Sequence, residues 1–145
     1  MRRHLVLILS VLSVASLAVA GITNAGASTA RPLTRPRMVV KITSGSNCNP
    51  TAEFCFKPAT FSVVSGTKVV WKNTTIAQHT ATRCTTTACS GVSGGTGTDA
   101  APASGFIVAS GGKYAHVFKG VGTYVYYCMV HGYLVMHGTI TVTAT

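Results

Sequence analysis

Short alternations of apolar and polar residues recur along most of the chain, at the period expected for half-buried strands. Residues 67–72 alternate polar positions with β-branched or aromatic ones, and residues 138–143 do the same near the end. Residues 122–128 give the strongest strand prediction. Shorter patterns between turn residues predict further strands at residues 38–43, 60–63, 79–83, 106–108 and 113–118.

This pattern of about eight short strands predicts an all-β sandwich or barrel, because no segment after the first 27 residues sustains a helical period. Loops separate the strands at residues 44–50 and 84–105. The second loop is rich in Thr, Ser, Gly and Ala and has almost no large apolar residue. Loops of this length are often functional, although the sequence assigns this one no role.

The N-terminal region is organised differently from the rest of the chain. Met1, Arg2 and Arg3 precede an apolar run at residues 5–20, which is typical of a secretory signal peptide. Small residues at 18–20 and 25–27 offer two cleavage sites. We favour the second site, which divides the chain into a signal peptide at 1–27, a Pro/Arg-rich linker at 28–37 and one domain at 38–145.

An uncleaved N-terminal anchor is the alternative, because the apolar run is close to the shortest length that can span a bilayer. The expected location is extracytoplasmic in either case, in the periplasm, at the cell surface or in the medium. Membrane association is expected only if the N-terminal segment is retained. The expected oligomeric state is a monomer.

The five cysteines are an odd number, so one is left over if the others pair in an oxidising compartment. Four cysteines allow three connectivities. The close spacing favours Cys48–Cys55 and Cys84–Cys89, which leaves Cys128 as a free thiol.

The segment that carries the most chemical information runs from Cys128 to Met136. It places a thiol, the imidazole of His131 and a thioether on one short loop after the strongest predicted strand. Soft thiolate and thioether ligands together with imidazole suit copper. Zinc is the rival metal, but it favours a closed set of Cys and His ligands, and the predicted disulfides leave no second free thiolate.

A fourth ligand must come from elsewhere in the chain, and His79 is the best candidate. It follows a predicted strand and a polar turn, so its loop could meet the Cys128 loop at one end of a sandwich. His116 lies in the middle of a predicted strand and is expected to be half-buried or solvent-facing. His137 is next to Met136 and is expected to be a surface residue near the site.

The chain resembles the cupredoxin family, the blue type 1 copper proteins, and especially its plastocyanin and pseudoazurin members. The resemblance covers residues 38–145 and is carried by residues 61–73, 79–80 and 122–142. It implies a Greek-key β-sandwich that holds one mononuclear type 1 copper ion.

The same resemblance implies a role for each residue of the site. His79, Cys128 and His131 would be strong, roughly trigonal ligands, and Met136 would be a long axial ligand. Thr80 would help to tie the two ligand loops together. The chain departs from the common family pattern at Met129 and in the sequence of the His131 loop.

The function that the resemblance implies is the transfer of single electrons between redox partners, through the edge of His131 and the apolar residues 132–135. We predict that the protein is not an enzyme, because too few histidines remain for a catalytic copper centre. A dinuclear copper centre would need two thiolates on one loop, and Cys128 is the one present. The alternative function is copper handling or delivery in the cell envelope.

Beyond Arg2 and Arg3, the chain keeps ten lysines and arginines but only Glu53 and Asp99 as acids, a formal net charge of +8. The basic residues form no dense run and accompany no nucleic-acid-binding motif, so nucleic acid is not an expected partner. The charge favours a redox partner with an acidic docking surface, or another anionic surface. It also serves to keep the domain soluble.

Overall fold

The computed structural model describes residues 34–48 and 52–145. The predicted signal peptide and most of the predicted linker therefore lie outside the described residues. The described part forms eight strands: β1 (Arg37–Ser44), β2 (Phe54–Lys57), β3 (Thr60–Val64), β4 (Lys68–Asn73), β5 (Thr82–Arg83), β6 (Lys113–Val117), β7 (Gly122–Tyr127) and β8 (His137–Thr143). A single turn of 3₁₀ helix covers Gly45–Asn47.

The strands form two four-stranded sheets, so the predicted all-β sandwich is confirmed. The first sheet has the order β2-β1-β4-β6, and the second has the order β3-β8-β7-β5. Strand β1 runs parallel to β4, and β3 runs parallel to β8, whereas the other pairs are antiparallel. Within residues 34–48 and 52–145, no helix has the length and apolar character that a membrane span requires.

Large aromatic side chains fill the space between the two sheets. Trp71 of β4 and Tyr126 of β7 are fully buried, and their rings meet edge to face with centroids 5.6 Å apart. Phe118 packs edge to face on Tyr124 at 4.8 Å. Edge-to-face pairs of this kind add about 0.5–1.5 kcal/mol each to the stabilisation from burial.

The structure differs from the sequence prediction at two places. Strand β2 was not predicted, because its residues FCFK do not alternate between apolar and polar side chains. The predicted strand at residues 106–108 is wrong: one bridge, from Ile107 to His79, replaces it. Phe106 and Val108 are both exposed, since no neighbouring strand covers them.

The two predicted disulfides are confirmed, and all five cysteines lie in the described residues. Cys48–Cys55 joins the end of the 3₁₀ turn to β2, and Cys84–Cys89 closes the start of the long loop. Cys128 remains as a free, buried thiol.

Arg83, the last residue of β5, organises the long loop at residues 84–105. Its guanidinium donates hydrogen bonds to the carbonyls of Gly94, Gly95 and Gly97 at 2.7–3.0 Å, and also to the Asp99 carbonyl. The guanidinium lies 5.0 Å from the centroid of the Tyr124 ring. Gly97 touches that ring so closely that a side chain would not fit. A loop with few apolar residues is thus held by hydrogen bonds to one partly buried cation.

We expect Arg83→Met to lower the free energy of unfolding by about 2–4 kcal/mol, because several loop carbonyls lose a charged donor. Chemical denaturation of the copper-free protein measures this change. Amide exchange at residues 94–99 should accelerate in parallel. Lys68→Met, at an exposed strand position, is the control; an equal loss of stability in both variants would contradict the assigned role of Arg83.

Candidate metal centre

Three predicted site residues converge at one end of the sandwich. Cys128 directly follows β7, His131 lies three residues later, and His79 lies beyond β4 on a separate loop. One potential ligand atom from each side chain lies within 4.8 Å of the other two. Cys128 and His79 are fully buried, whereas His131 is partly exposed.

The sulfur of Cys128 is at the centre of this cluster. Its Sγ lies 3.4 Å from Nδ1 of His131 and 3.8 Å from Nδ1 of His79. The backbone N–H of Thr80 donates a hydrogen bond to Sγ at 3.4 Å. Thiolate is the form of cysteine that binds metals, and this N–H is placed to donate to it.

The loop from Cys128 to Met136 is closed by its own backbone. Cys128 N–H donates to the Met136 carbonyl at 2.9 Å, and the N–H groups of Gly132 and Met136 donate to the carbonyls of Cys128 and Gly132 at 2.9 and 3.0 Å. Gly132 has a φ of 78°, a conformation that favours glycine. Met136 is 1% exposed and belongs to the same core cluster as Cys128.

A second loop carries His79, and Asn73 holds it in place. The side-chain amide of Asn73 donates to the carbonyls of Ala77, Ile107 and Val108 at 2.7–3.1 Å. Its Oδ1 accepts hydrogen bonds from the backbone N–H and the hydroxyl of Thr75, both at 2.9 Å. Asn73 is fully buried, so the position of the loop depends on these contacts.

The hydroxyl of Thr75 also fixes the tautomer of His79. Because Oδ1 of Asn73 can only accept hydrogen bonds, the Thr75 hydroxyl is the donor in the bond between them. The hydroxyl oxygen, 2.9 Å from Nε2 of His79, must then accept a hydrogen bond from Nε2–H. The lone pair of Nδ1 is therefore directed to the side of the ring that faces Cys128.

Burial, together with the neighbouring His131, lowers the pKa of His79 to about 4. The imidazole is consequently neutral at neutral pH, and a metal does not have to displace a proton from Nδ1. Neutral imidazole is the form that coordinates metals.

Thr80 connects the two loops through its side chain. Its hydroxyl accepts a hydrogen bond from the N–H of Met129 at 2.8 Å, while its own N–H contacts Cys128. This is the contact between loops that the family resemblance implies. The departure at Met129 does not disturb it, because Met129 contributes only its backbone.

Phe54 is a site residue that the sequence analysis missed. Its ring centroid lies 4.9 Å from that of His79 and 4.8 Å from that of His131, so it covers both imidazoles. The sequence carried no signal here because Phe54 begins β2, the strand that lacks an alternating pattern. Cys55, its neighbour, anchors this position through the first disulfide.

The other two histidines of the domain lie outside the cluster, as predicted. His116 is in β6, with Nε2 3.5 Å from a carboxylate oxygen of Asp99. His137 is exposed and stacks on Tyr133 at 4.5 Å. Neither histidine belongs to the group of side chains that could hold a metal.

A model of the copper binding proteins of the plastocyanin/azurin family matches residues 43–143, which include all four predicted ligands. The chain belongs to this family. The predicted copper cofactor is thereby confirmed, and the donor set of two imidazoles and one buried free thiol fits that metal. No curated protein sequence matches the chain.

Solved structures show the same family fold. A novel purple cupredoxin from Nitrosopumilus maritimus aligns with a TM-score of 0.55 and 23% identity, over 73% of this chain and 99% of that one. A reduced amicyanin variant aligns with a TM-score of 0.51 and 20% identity, over 74% and 82% of the two chains. The Cu(I) form of another amicyanin variant has the same score and identity, over 77% and 87%.

We expect Thr75→Val to weaken copper binding about 10–100-fold, because Nε2 of His79 loses its acceptor and the ring loses its orientation. Competitive titration with a copper chelator measures the affinity. Thr74→Val is the matched control: the Thr74 hydroxyl donates to the carbonyl of Ile42 and does not contact His79. Equal affinity in the two variants would contradict the role of Thr75.

Proposed function

We propose that the protein carries single electrons between redox partners, with one type 1 copper ion held by His79, Cys128, His131 and Met136. The observation that supports this most strongly is the convergence of two imidazole Nδ1 atoms on one buried thiol. Copper bound there supplies a one-electron Cu(II)/Cu(I) couple.

The surroundings of these side chains suit electron transfer more than chemistry on a substrate. His79, Cys128 and Met136 are each at most 1% exposed, which leaves no open face for a substrate to approach. Hydrogen bonds from Asn73, Thr75 and Thr80 hold the two loops in one arrangement. A site that is fixed in this way changes little between two oxidation states.

The surface around His131 is apolar and suits brief docking of a partner. The ligand loops expose Met129, Val130, Leu134 and Val135, with Leu134 78% exposed. Ile76 and Phe106 add to this surface from the loop of His79 and from the segment that is bridged to it. Weak and transient partners use small contact areas of this kind.

Two disulfides in so small a domain support an extracytoplasmic location. The alternative function, copper delivery, would require a partner to reach the ligands and exchange the metal. The burial of His79 and Cys128 argues against easy exchange, so we favour the electron carrier.

Cys128→Ser should abolish the intense blue absorption of the Cu(II) form, because that band requires a thiolate bound to Cu(II). Visible spectroscopy after addition of Cu(II) measures it. The control is Cys84→Ser combined with Cys89→Ser, which removes a disulfide and leaves the free thiol. A blue band that survives Cys128→Ser would show that the proposed ligand set is wrong.

Met136→Leu should keep copper bound and raise the reduction potential, because the oxidised ion loses a weak donor while the apolar volume is conserved. Cyclic voltammetry measures the potential, and metal analysis measures occupancy. Complete loss of copper would mean that Met136 is more than a weak axial ligand.

Val130→Asn should slow electron self-exchange at least about tenfold, because an unpaired amide becomes buried when two ligand ends meet. NMR line broadening in mixtures of oxidised and reduced protein measures the rate. Val121→Asn is the matched control: Val121 and Val130 are 53% and 51% exposed, but Val121 lies before β7, away from the ligand loops. Equal slowing by both changes would contradict docking at the ligand end.

A further inference from the structure

Four lysines lie side by side across the first sheet. Lys41 of β1 is opposite Lys57 of β2 and opposite Lys72 of β4, and Lys72 is opposite Lys113 of β6. The set forms one line across all four strands, which we call the lysine row. Neighbouring strands are about 4.8 Å apart, so the row spans roughly 14 Å.

All four side chains point away from the core and are exposed. Their strand neighbours Ile42, Phe56, Trp71 and Tyr114 belong to or pack against the core, so alternation directs the lysines outward. Arg37 and Lys68, a cross-strand pair, add two exposed cations to the same face. None of these six cations takes part in an ion pair among the described residues.

This arrangement carries a cost for folding. Like charges directly opposite each other on neighbouring strands destabilise a sheet. The strands of the first sheet contain no acidic residue that could offset the repulsion. The strands of the second sheet contain no lysine, and the guanidinium of Arg83 is occupied by the long loop. Solubility alone does not require the charge to be concentrated on one face.

The face also contains a depression of about 620 Å³ between β1 and β2. Lys41 and Lys57 line it together with the hydroxyl-bearing residues Thr43 and Thr74. The ammonium of Lys57 is held at the rim by a 3.0 Å hydrogen bond to the Asn47 carbonyl. The two ammonium groups and the hydroxyl of Thr43 are the donors that a phosphate group could use there, since the hydroxyl of Thr74 already donates to the carbonyl of Ile42.

We propose that this outer face of the first sheet docks on an anionic lipid surface, with phosphate headgroups as the partners of the lysine row. A protein partner fits the face less well, because protein interfaces are depleted in lysine and enriched in aromatic residues. Here the exposed aromatic and large aliphatic side chains lie mainly on the ligand end instead. A row of ammonium groups across the outer face of a sheet complements a fluid array of lipid phosphates.

In the alternative in which the N-terminal segment is not cleaved, its place in the sequence agrees with a lipid partner. The apolar run at residues 5–20, followed by Arg31 and Arg35, leads into β1, a central strand of this face. An apolar segment and a basic patch are the two signals that together give stable membrane attachment. The ligand loops leave the ends of the strands, so lipid bound to the face would leave the ligand end free.

The test measures the partition of the full, copper-loaded chain onto phosphatidylcholine vesicles with and without phosphatidylglycerol, at low and high salt. Insertion of the apolar segment contributes to binding of both vesicle types. The ratio of the two partition coefficients therefore reports the preference for anionic lipid. The wild type should favour the anionic vesicles, and salt should remove the preference. Lys41→Gln combined with Lys72→Gln should reduce the preference roughly 25-fold, since each lysine contributes about fivefold.

Thr60→Glu combined with Ser62→Glu is the matched control, because it changes the net charge by the same amount on exposed positions of the second sheet. This variant should keep most of the preference. Acetylation footprinting gives a second readout: anionic vesicles should protect Lys41 and Lys72 and leave Lys119 reactive. Equal losses in both double variants, or equal protection of Lys119, would overturn the proposal.

Polyglutamate is the probe for an acidic protein partner. If it protects the lysine row while phosphatidylglycerol vesicles do not, the lipid assignment is wrong and the face belongs to an acidic protein. None of these outcomes depends on the ligand set of the metal centre, so the two proposals fail or stand separately.

Discussion

The thiol of Cys128 is the point on which both loops of the metal centre depend. It is buried between two imidazoles, and the N–H of Thr80 donates to it from the opposite loop. Cys128 and His79 can bind the same metal ion only if the loop of His79 returns to the same end of the sandwich. The long-range contacts of Asn73 secure that return, because they bind the loop to the carbonyls of Ile107 and Val108. The site is therefore a product of the packing of the two sheets as much as of the ligand loop itself.

The sequence predicted the local part of this arrangement well. Cys128, His131 and Met136 lie close together in the sequence, and the odd number of cysteines indicated that Cys128 is the free thiol. This part of the site could therefore be predicted without knowledge of the fold. Phe54 and Asn73 could not, because their contacts with the site depend on which strands become neighbours. Residues 84–105 were correctly predicted as a loop, but their order was not. The guanidinium of Arg83 and the Cys84–Cys89 disulfide hold much of the segment, and a pattern of apolar residues does not reveal such contacts. The absence of a strand at 106–108 follows from the lack of a partner strand, which a local pattern cannot reveal.

The surface of the domain has an apolar region and a basic region. The ligand end is apolar around the partly exposed His131, whereas the outer face of the first sheet is basic. Apolar contact suits brief docking, and dispersed charge suits attraction over a distance that ionic strength controls. Because the two surfaces do not coincide, the protein could be held at one of them while the other remains available. The charge therefore does more than set solubility if the lysine row has an anionic partner.

X-ray absorption spectroscopy of the copper-loaded chain tests the metal centre most directly, because it reports the atoms bound to the metal. The proposed site predicts one copper per chain, with one short bond to sulfur and two bonds to imidazole nitrogen. A spectrum with only nitrogen and oxygen neighbours, or one with two short sulfur bonds, would contradict it.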